Sequence, residues 1–406
     1  MVEIEFSYIH DFEHDPQVWS NFMDEFSAQH GIKVYLRRMV WDMAWAELFS
    51  FTSTSNYKGP QVSHIGNTWV SSLARMNVLR PFKPDEIAEV GGAWDFITPN
   101  WETGMLPDDR RVWAIPWTVW MYVICYRKDL LEEAGIDPSE AFGTIKVVKA
   151  SVERLVSSSL EIPWLNAQLP VSYRDLLHIA ASWVWAAGGD FIDKKATKAL
   201  FTSPQAMDGL KDWLDIYRAV PEAYKKLLQQ ETFDLFRAGR AAAVLANIGG
   251  ANAFINAHDN PIMRNNLGVA SVTETPWTGG GGLVIWDHVR SDPQKEHAAV
   301  ELVKFLSSKE INLRYWRETG GTPSRIDALH EIYSPGNPAR EAVMQAATNG
   351  REYYNISVWR RIEQQLSEGI GAIMRDAAEN PATDSAQILR KHLEPLARRV
   401  NTTLGN

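Results

Sequence analysis

Residues 2 to 9, VEIEFSYI, alternate apolar and polar side chains, the two-residue period of a strand with one buried face; the polar run HDFEHDP after them predicts a loop. From 16 to 30 the period lengthens. Val18, Phe22 and Phe26 recur every four residues with Trp19 and Met23 beside them, which predicts an amphipathic helix. Asp15 stands as its N-cap, Pro16 at its first helical position and Gly31 just past its end. Two further rounds follow: a strand over 32 to 40, a helix over 41 to 51, a strand over 59 to 65 and a helix over 68 to 79. This βαβαβα order predicts a parallel sheet with helices on its faces. Ligands of such sheets sit beyond the carboxyl ends of the strands. That rule selects His10 and Asp11, Trp41, and the segment GNTW containing Asn67, Thr68 and Trp69.

Beyond the first rounds, helix patterns cover 129 to 135, 172 to 189 and 203 to 220, and a helix over 231 to 239 precedes a strand over 241 to 247. After the glycine run 279 to 282, LVIWDHV reads as a strand, and residues 293 to 317 carry two helix patterns. TGGTPSR at 319 to 325 breaks them, and 338 to 403 is almost wholly helical in pattern. No internal repeat or low-complexity tract is evident.

With 406 residues, the chain is long enough for two domains. Its 45% hydrophobic and 22% charged residues are ordinary globular composition. A net charge of −9 with no basic run longer than Arg-Arg argues against nucleic acid and anionic membrane as partners. Cys125 is the only cysteine, so neither an intramolecular disulfide nor a cysteine-based metal site is expected. No uninterrupted apolar stretch approaches the roughly 18 residues of a membrane span. The opening residues also lack the basic and apolar regions of a signal peptide, so a soluble chain without its export signal is expected.

Several segments together resemble the extracellular solute-binding proteins of bacterial ABC importers, family 1, to which the maltose-binding protein belongs. They are FMDEFSAQHGIKV at 22 to 34, IPWTVWMYVICYRKDLLEEAGID at 115 to 137, AAGGDFID at 186 to 193, FDLFRAGRAAAVLAN at 233 to 247 and GGGGLVIWDHVRSDPQKEHAAVELVKFLSS at 279 to 308. The resemblance implies an α/β, two-lobed periplasmic-binding-protein fold (class II): each lobe a mainly parallel sheet flanked by helices, with the cleft and hinge between. Laid on this sequence, the N-terminal lobe is expected over 1 to 118 plus 279 to 320, and the C-terminal lobe over 119 to 278 plus 321 to 406. Hinge crossings are expected near 117 to 122, 276 to 281 and 319 to 323. Pro116, Pro276, the glycine run, Gly320, Gly321 and Pro323 fall in or beside those crossings.

The function this implies is capture of a sugar, an oligosaccharide by expectation, and its delivery to a membrane permease. The seventeen tryptophans suit such a ligand, because a flat ring covers the C–H face of a pyranose while short polar groups bond to its hydroxyl rim. Trp19, Trp183 and Trp213 lie at helical spacing and read as core. Trp41, Trp69, Trp117, Trp120, Trp277 and Trp359 lie at strand ends, at the expected hinges or on the tail helix, where the resemblance implies a cleft wall; Tyr122 borders the first crossing. Asp11, Asn67, Thr68, Asn166, Asn247 and Arg325 stand where family members contact ligands, with His10, Gly249, Gly280 and Gly281 beside them. Asn67 and Thr68 also read as caps of the third helix. Trp120 occupies a place where relatives often carry a carboxylate, and Asn67-Thr68 another, which points to fewer charged contacts and more stacking.

The glycine run is not a phosphate loop, since no Gly-Lys-Ser/Thr follows and the next element is a strand. His10 and His14 have a spacing open to metal, but no further ligand cluster accompanies them, so neither a metal nor a cofactor is expected. Three alternatives remain within the binding class: a glycosylated osmolyte, a glycerol phosphodiester and a polyamine. A glycoside hydrolase is the alternative from another class, with Asp11, Asp42, Asp95 and Glu102 as candidate carboxylates. A monomer in the periplasm or outside the cell, with or without a lipid anchor, is expected.

Overall fold

The computed structural model describes residues 1–10, 15–52, 59–167, 173–257 and 259–405, and of Asp15 the backbone alone. Asp11, His14 and the expected capping side chain of Asp15 therefore lie outside the described residues. Eleven strands occur among them: β1 Val2–Ile9, β2 Ile32–Met39, β3 Val62–Gly66, β4 Leu79–Arg80, β5 Met105–Leu106, β6 Asp109–Val112, β7 Ile115–Arg127, β8 Leu165–Asn166, β9 Ala243–Asn247, β10 Leu267–Ser271 and β11 Thr278–Trp286. The chain divides into two compact units. Unit 1 comprises Met1–Val119, Gly279–Ile332 and Glu352–Trp359, and unit 2 comprises Trp120–Thr278, Tyr333–Arg351 and Arg360–Asn406.

In unit 1, β1 and β2 run parallel from Val2 opposite Ile32 to Ile9 opposite Met39. β3 joins the other side of β1 in parallel, with Phe6 opposite Val62, and β11 closes on β3 in the antiparallel sense. The helices α1 (Asp15–His30), α2 (Trp41–Thr52) and α3 (Val70–Arg75) follow β1, β2 and β3. Alternation along β1 splits its side chains between two cores. Phe6 and Tyr8 pack with the α1 stripe Val18, Phe22 and Phe26, whereas Ile9 packs with Ala44 and Leu48 of α2 and with Leu73 of α3. The four-residue spacing of the sequence is thus the buried stripe of α1.

Trp117 belongs to the first of these cores and is 1% exposed. Its ring lies 5.5 Å from Trp19, 5.2 Å from Tyr315 and 5.7 Å from Trp316. This corrects the reading of Trp117 as a cleft ring, because aromatic neighbours distant in sequence enclose it.

The glycine run also differs from expectation. It lies within β11 rather than ahead of the strand. A Cβ on Gly280 would stand 2.0 Å from the Thr118 carbonyl oxygen, and one on Gly281 would stand 2.2 Å from His64 Nε2. Gly280 also has φ +152°. These glycines admit close neighbours rather than supplying slack.

The chain passes between units after Val119, after Thr278 and after Ile332, then returns for Glu352–Trp359. The third crossing therefore follows residue 332 instead of falling at 319 to 323. Residues 322 to 324 stay in unit 1 because Val119 N–H donates to Thr322 O at 3.0 Å and Ser324 N–H to Trp117 O at 3.4 Å.

In unit 2, the later half of β7 pairs antiparallel with β9, Tyr122 opposite Asn247, and with β10; β8 runs parallel to β9. Val123, Ile124 and Cys125 are all buried, so the YVICY stretch is an interior strand covered on both faces. Trp164, Trp183 and Trp213 are fully buried, as the helical spacing of the last two requires. The tail supplies helices Arg340–Asn349, Trp359–Glu379 and Ser385–Thr403.

Truncating Trp117 to Ala is expected to cost about 3–5 kcal/mol of stability, the range for a large aromatic side chain lost from a packed core. Urea unfolding of the variant measures it. A loss under about 1 kcal/mol would contradict the core assignment.

Candidate functional site

Three parallel strands of unit 1 end at Ile9, Met39 and Gly66, and the residues just beyond them form one edge. His10 is half-buried, with its N–H donating to Met39 O at 2.9 Å. Trp41 opens α2 and is also half-buried. It meets Trp69 edge to face, 5.5 Å between centroids at 70°, and Trp45 meets Trp69 similarly at 5.6 Å and 68°. Trp69 is 1% exposed. It therefore supports Trp41 and has no free face of its own, which corrects its reading as a stacking platform.

Asn67 and Thr68 do not cap a helix. They lie inside the 3-10 turn Asn67–Trp69, whose N-cap is Gly66 with no side-chain bond. Asn67 is 4% exposed, and its Nδ2 has no hydrogen-bond partner among the described residues. A buried amide left in that state costs about 1–3 kcal/mol, so it fits a site completed by something else.

His64 was not a sequence candidate. It is 2% exposed on β3, its ring stands 6.5 Å from Trp41 at 79°, and its Nε2 lacks a partner among the described residues. Burial pushes its pKa down to about 3, so the imidazole is neutral at physiological pH. The signal in the sequence was positional: His64 stands two residues before Gly66 and faces the same way.

Two other candidates occupy structural positions. Arg325 is 7% exposed, and all five of its N–H donors are used. They go to Val90 O at 2.9 Å, Ser307 O at 3.2 Å, Asp95 at 2.9 Å and both oxygens of Asp327 at 3.0 and 2.9 Å. No donor remains for a ligand. Trp359 is 1% exposed and stacks on Tyr353 at 4.5 Å, so it too is packed rather than displayed.

In unit 2, β8 ends at Asn166 opposite Leu245 of β9, which runs on to Asn247, and Tyr122 lies opposite Asn247. Asn247 caps the helix Ile248–Ile255, its Oδ1 accepting from Gly250 N–H at 2.8 Å; Gly249 sits half-buried in that first turn. Trp277 is 7% exposed, stacked in parallel on His178 at 4.2 Å and 5.7 Å from Tyr122. Trp120 is half-buried. His178 was also missed. Burial, and secondarily the charge of Arg174, hold it well below the ordinary histidine pKa, so its 4.0 Å approach to Glu363 is not an ion pair at neutral pH. Nothing in the sequence singled out His178, on the mostly buried helix Tyr173–Ala186, or Glu363, on the inner face of the amphipathic helix Trp359–Glu379.

Among the described residues no group of three or more His, Cys, Asp or Glu could hold a metal ion. Nor is any described helix long and apolar enough to cross a membrane.

Residues 21–341 match the model of the bacterial extracellular solute-binding protein family. The chain belongs to that family. It is 22% identical to the diacetylchitobiose binding protein DasA of Streptomyces coelicolor, over 95% of this chain and 88% of that protein. Among solved structures, the sugar-binding protein MalE of Xanthomonas citri superposes with TM-score 0.79 at 18% identity, covering 100% of this chain and 98% of that one. A solute-binding protein of Thermotoga lettingae TMO bound with α-D-tagatose gives 0.76 at 19% identity and 100% coverage of both. The fold of this family is therefore the α/β periplasmic-binding-protein fold that the resemblance implied.

A neutral His64 has a consequence for acid stability. Its folded pKa of about 3 lies below the ordinary 6.5. The unfolded chain therefore binds the proton first, and stability is lost as pH falls below about 6.5. Comparing wild type with His64→Gln by urea unfolding, the free-energy difference is expected to move against wild type by about 2 kcal/mol between pH 7 and pH 5. Parallel pH profiles would show that His64 protonates without penalty.

Proposed function

We propose that this protein captures a sugar outside the cytoplasm and hands it, chemically unchanged, to the permease of an ABC importer. The observation that carries this reading is the unit 1 edge, where the half-buried Trp41 is backed by Trp69 and the buried Asn67, at the end of the neighbouring strand, has an Nδ2 without a partner among the described residues. A pyranose matches both features, with an apolar face for the indole and a hydroxyl rim for the amide. Family membership supports the transport role. The ligand named for DasA and the tagatose in the Thermotoga structure support a carbohydrate as its cargo.

Among the carboxylates considered for hydrolysis, Asp95 is engaged by Arg325, an assignment that favours a structural role. The protein acts as a monomeric receptor in the periplasm or at the cell surface. Its ligand contacts are stacking and neutral hydrogen bonds, in preference to the charge clusters a phosphodiester or polyamine would require.

Tryptophan fluorescence and calorimetry against mono- and oligosaccharides test the proposal. Saturable binding with a Kd of about micromolar order is expected, and Trp41→Ala should weaken it about tenfold or more. New reducing ends in the incubated sugar would overturn the receptor reading. A panel in which no sugar alters fluorescence or melting temperature would overturn the carbohydrate reading.

A further inference from the structure

The imidazole 6.5 Å from the Trp41 ring is set by a pair of glycines. Gly66 and Gly281 lie opposite each other in the β3–β11 ladder, and His64 opposite Leu283 is the rung two residues inward. Residues two apart on a strand share a face, so His64 and Gly66 point to the same side of the sheet. A Cβ on Gly66 would lie 3.1 Å from Trp41 Cζ3 and 3.5 Å from Trp69 Cε2. A Cβ on Gly281 would lie 2.2 Å from His64 Nε2 and 2.9 Å from its Cδ2. The two missing side chains therefore make a shelf. The Trp41 indole rests on one half, and the His64 imidazole reaches over the other, its Nε2 carried outward from its own rung toward the strand end.

We infer that His64, lying over the Gly66–Gly281 shelf, is the specificity residue of this edge, hydrogen-bonding a hydroxyl of an uncharged ring seated on Trp41. The inference rests on the sugar-capture reading and narrows it to neutral ligands. Two buried polar atoms converge on the strand end without partners among the described residues, His64 Nε2 and Asn67 Nδ2. A hydroxyl satisfies Nε2 in either tautomer of the neutral ring, because it both donates and accepts. A carboxylate only accepts, an ammonium only donates, and the neutral imidazole offers neither a compensating charge. An acidic or basic sugar would thus be desolvated here for a hydrogen bond but no opposite charge.

Calorimetry of wild type, His64→Ala, His64→Gln and Gly281→Ala with maltose, N,N′-diacetylchitobiose and D-tagatose tests the assignment, with circular dichroism to establish that each variant folds. For any probe that wild type binds, His64→Ala is expected to weaken affinity at least tenfold, and His64→Gln should recover part of the loss through its amide. Gly281→Ala should weaken binding similarly, because its methyl group crowds the imidazole and also the Ile65 carbonyl oxygen, at 2.8 Å, while leaving the ring chemically unchanged. In ¹⁵N spectra the His64 Nε2 resonance is expected to shift when the probe binds, a readout that also serves if a variant misfolds. Affinities within twofold of wild type in both folded His64 variants, or an Nε2 resonance that does not move on saturation, would overturn the assignment. Tighter binding of glucuronate than of glucose would do so as well. Failure of every probe to bind wild type would sink the sugar-capture reading itself, and this assignment with it.

Discussion

The backbone of β11 lies so near its neighbours that only hydrogen fits at successive α-carbons. The Thr118 carbonyl occupies the place of one side chain and the His64 imidazole the place of another, while Ala114 crowds a Cβ on Gly282 at 3.2 Å. This close approach lets β11 lie between β3 and β7 in the sheet, and the sheet in turn fixes where β1, β2 and β3 end. The proposed recognition edge is what those ends carry. A run of small residues that looks like a flexible joint in the sequence is therefore a tightly packed seam, and the His64 and Trp41 rings are placed by the space left at these glycines.

Three of the described side chains at this edge carry no formal charge. His64 is kept neutral by burial, Asn67 is an amide, and Trp41 presents an apolar face. Charge is spent elsewhere, as in the Arg325 clamp and in the buried Arg80 bound to Glu86 and Glu296. The molecule thus separates two uses of polarity. Ion pairs tie helices and loops together, whereas neutral groups with spare hydrogen-bonding capacity gather at the strand ends.

Much of this was legible in the sequence because it follows from local period. The α1 stripe, the order of the first six elements and the strand-end positions of Trp41 and Asn67 all come from patterns a few residues long. What was not legible depends on distant partners. Trp41 and Trp117 look alike in sequence, each beside a strand end or expected joint. They part only when Trp19, Tyr315 and Trp316 fold around Trp117 and leave Trp41 half covered. Arg325 resembled a ligand contact until its five donors were matched to groups drawn from residues 90 to 95, 307 and 327. His64 was hidden for the opposite reason. A histidine inside a short strand carries no local signal, and the role proposed for it rests on the missing side chain across the ladder at Gly281.

The Arg325 clamp also bears on the order of assembly. It joins a loop near residue 90 to a segment made more than two hundred residues later, after the whole stretch Trp120–Thr278 of unit 2 has been synthesised. The N-terminal strands and helices of unit 1 are thus the first to be made, yet they wait for the last of their own interior partners. Closing so long a loop is entropically slow, and in the meantime the aromatic core around Trp19 lacks Tyr315 and Trp316. Unit 1 begins first and is completed late, so the strand-end edge it carries is among the later features of the molecule to form.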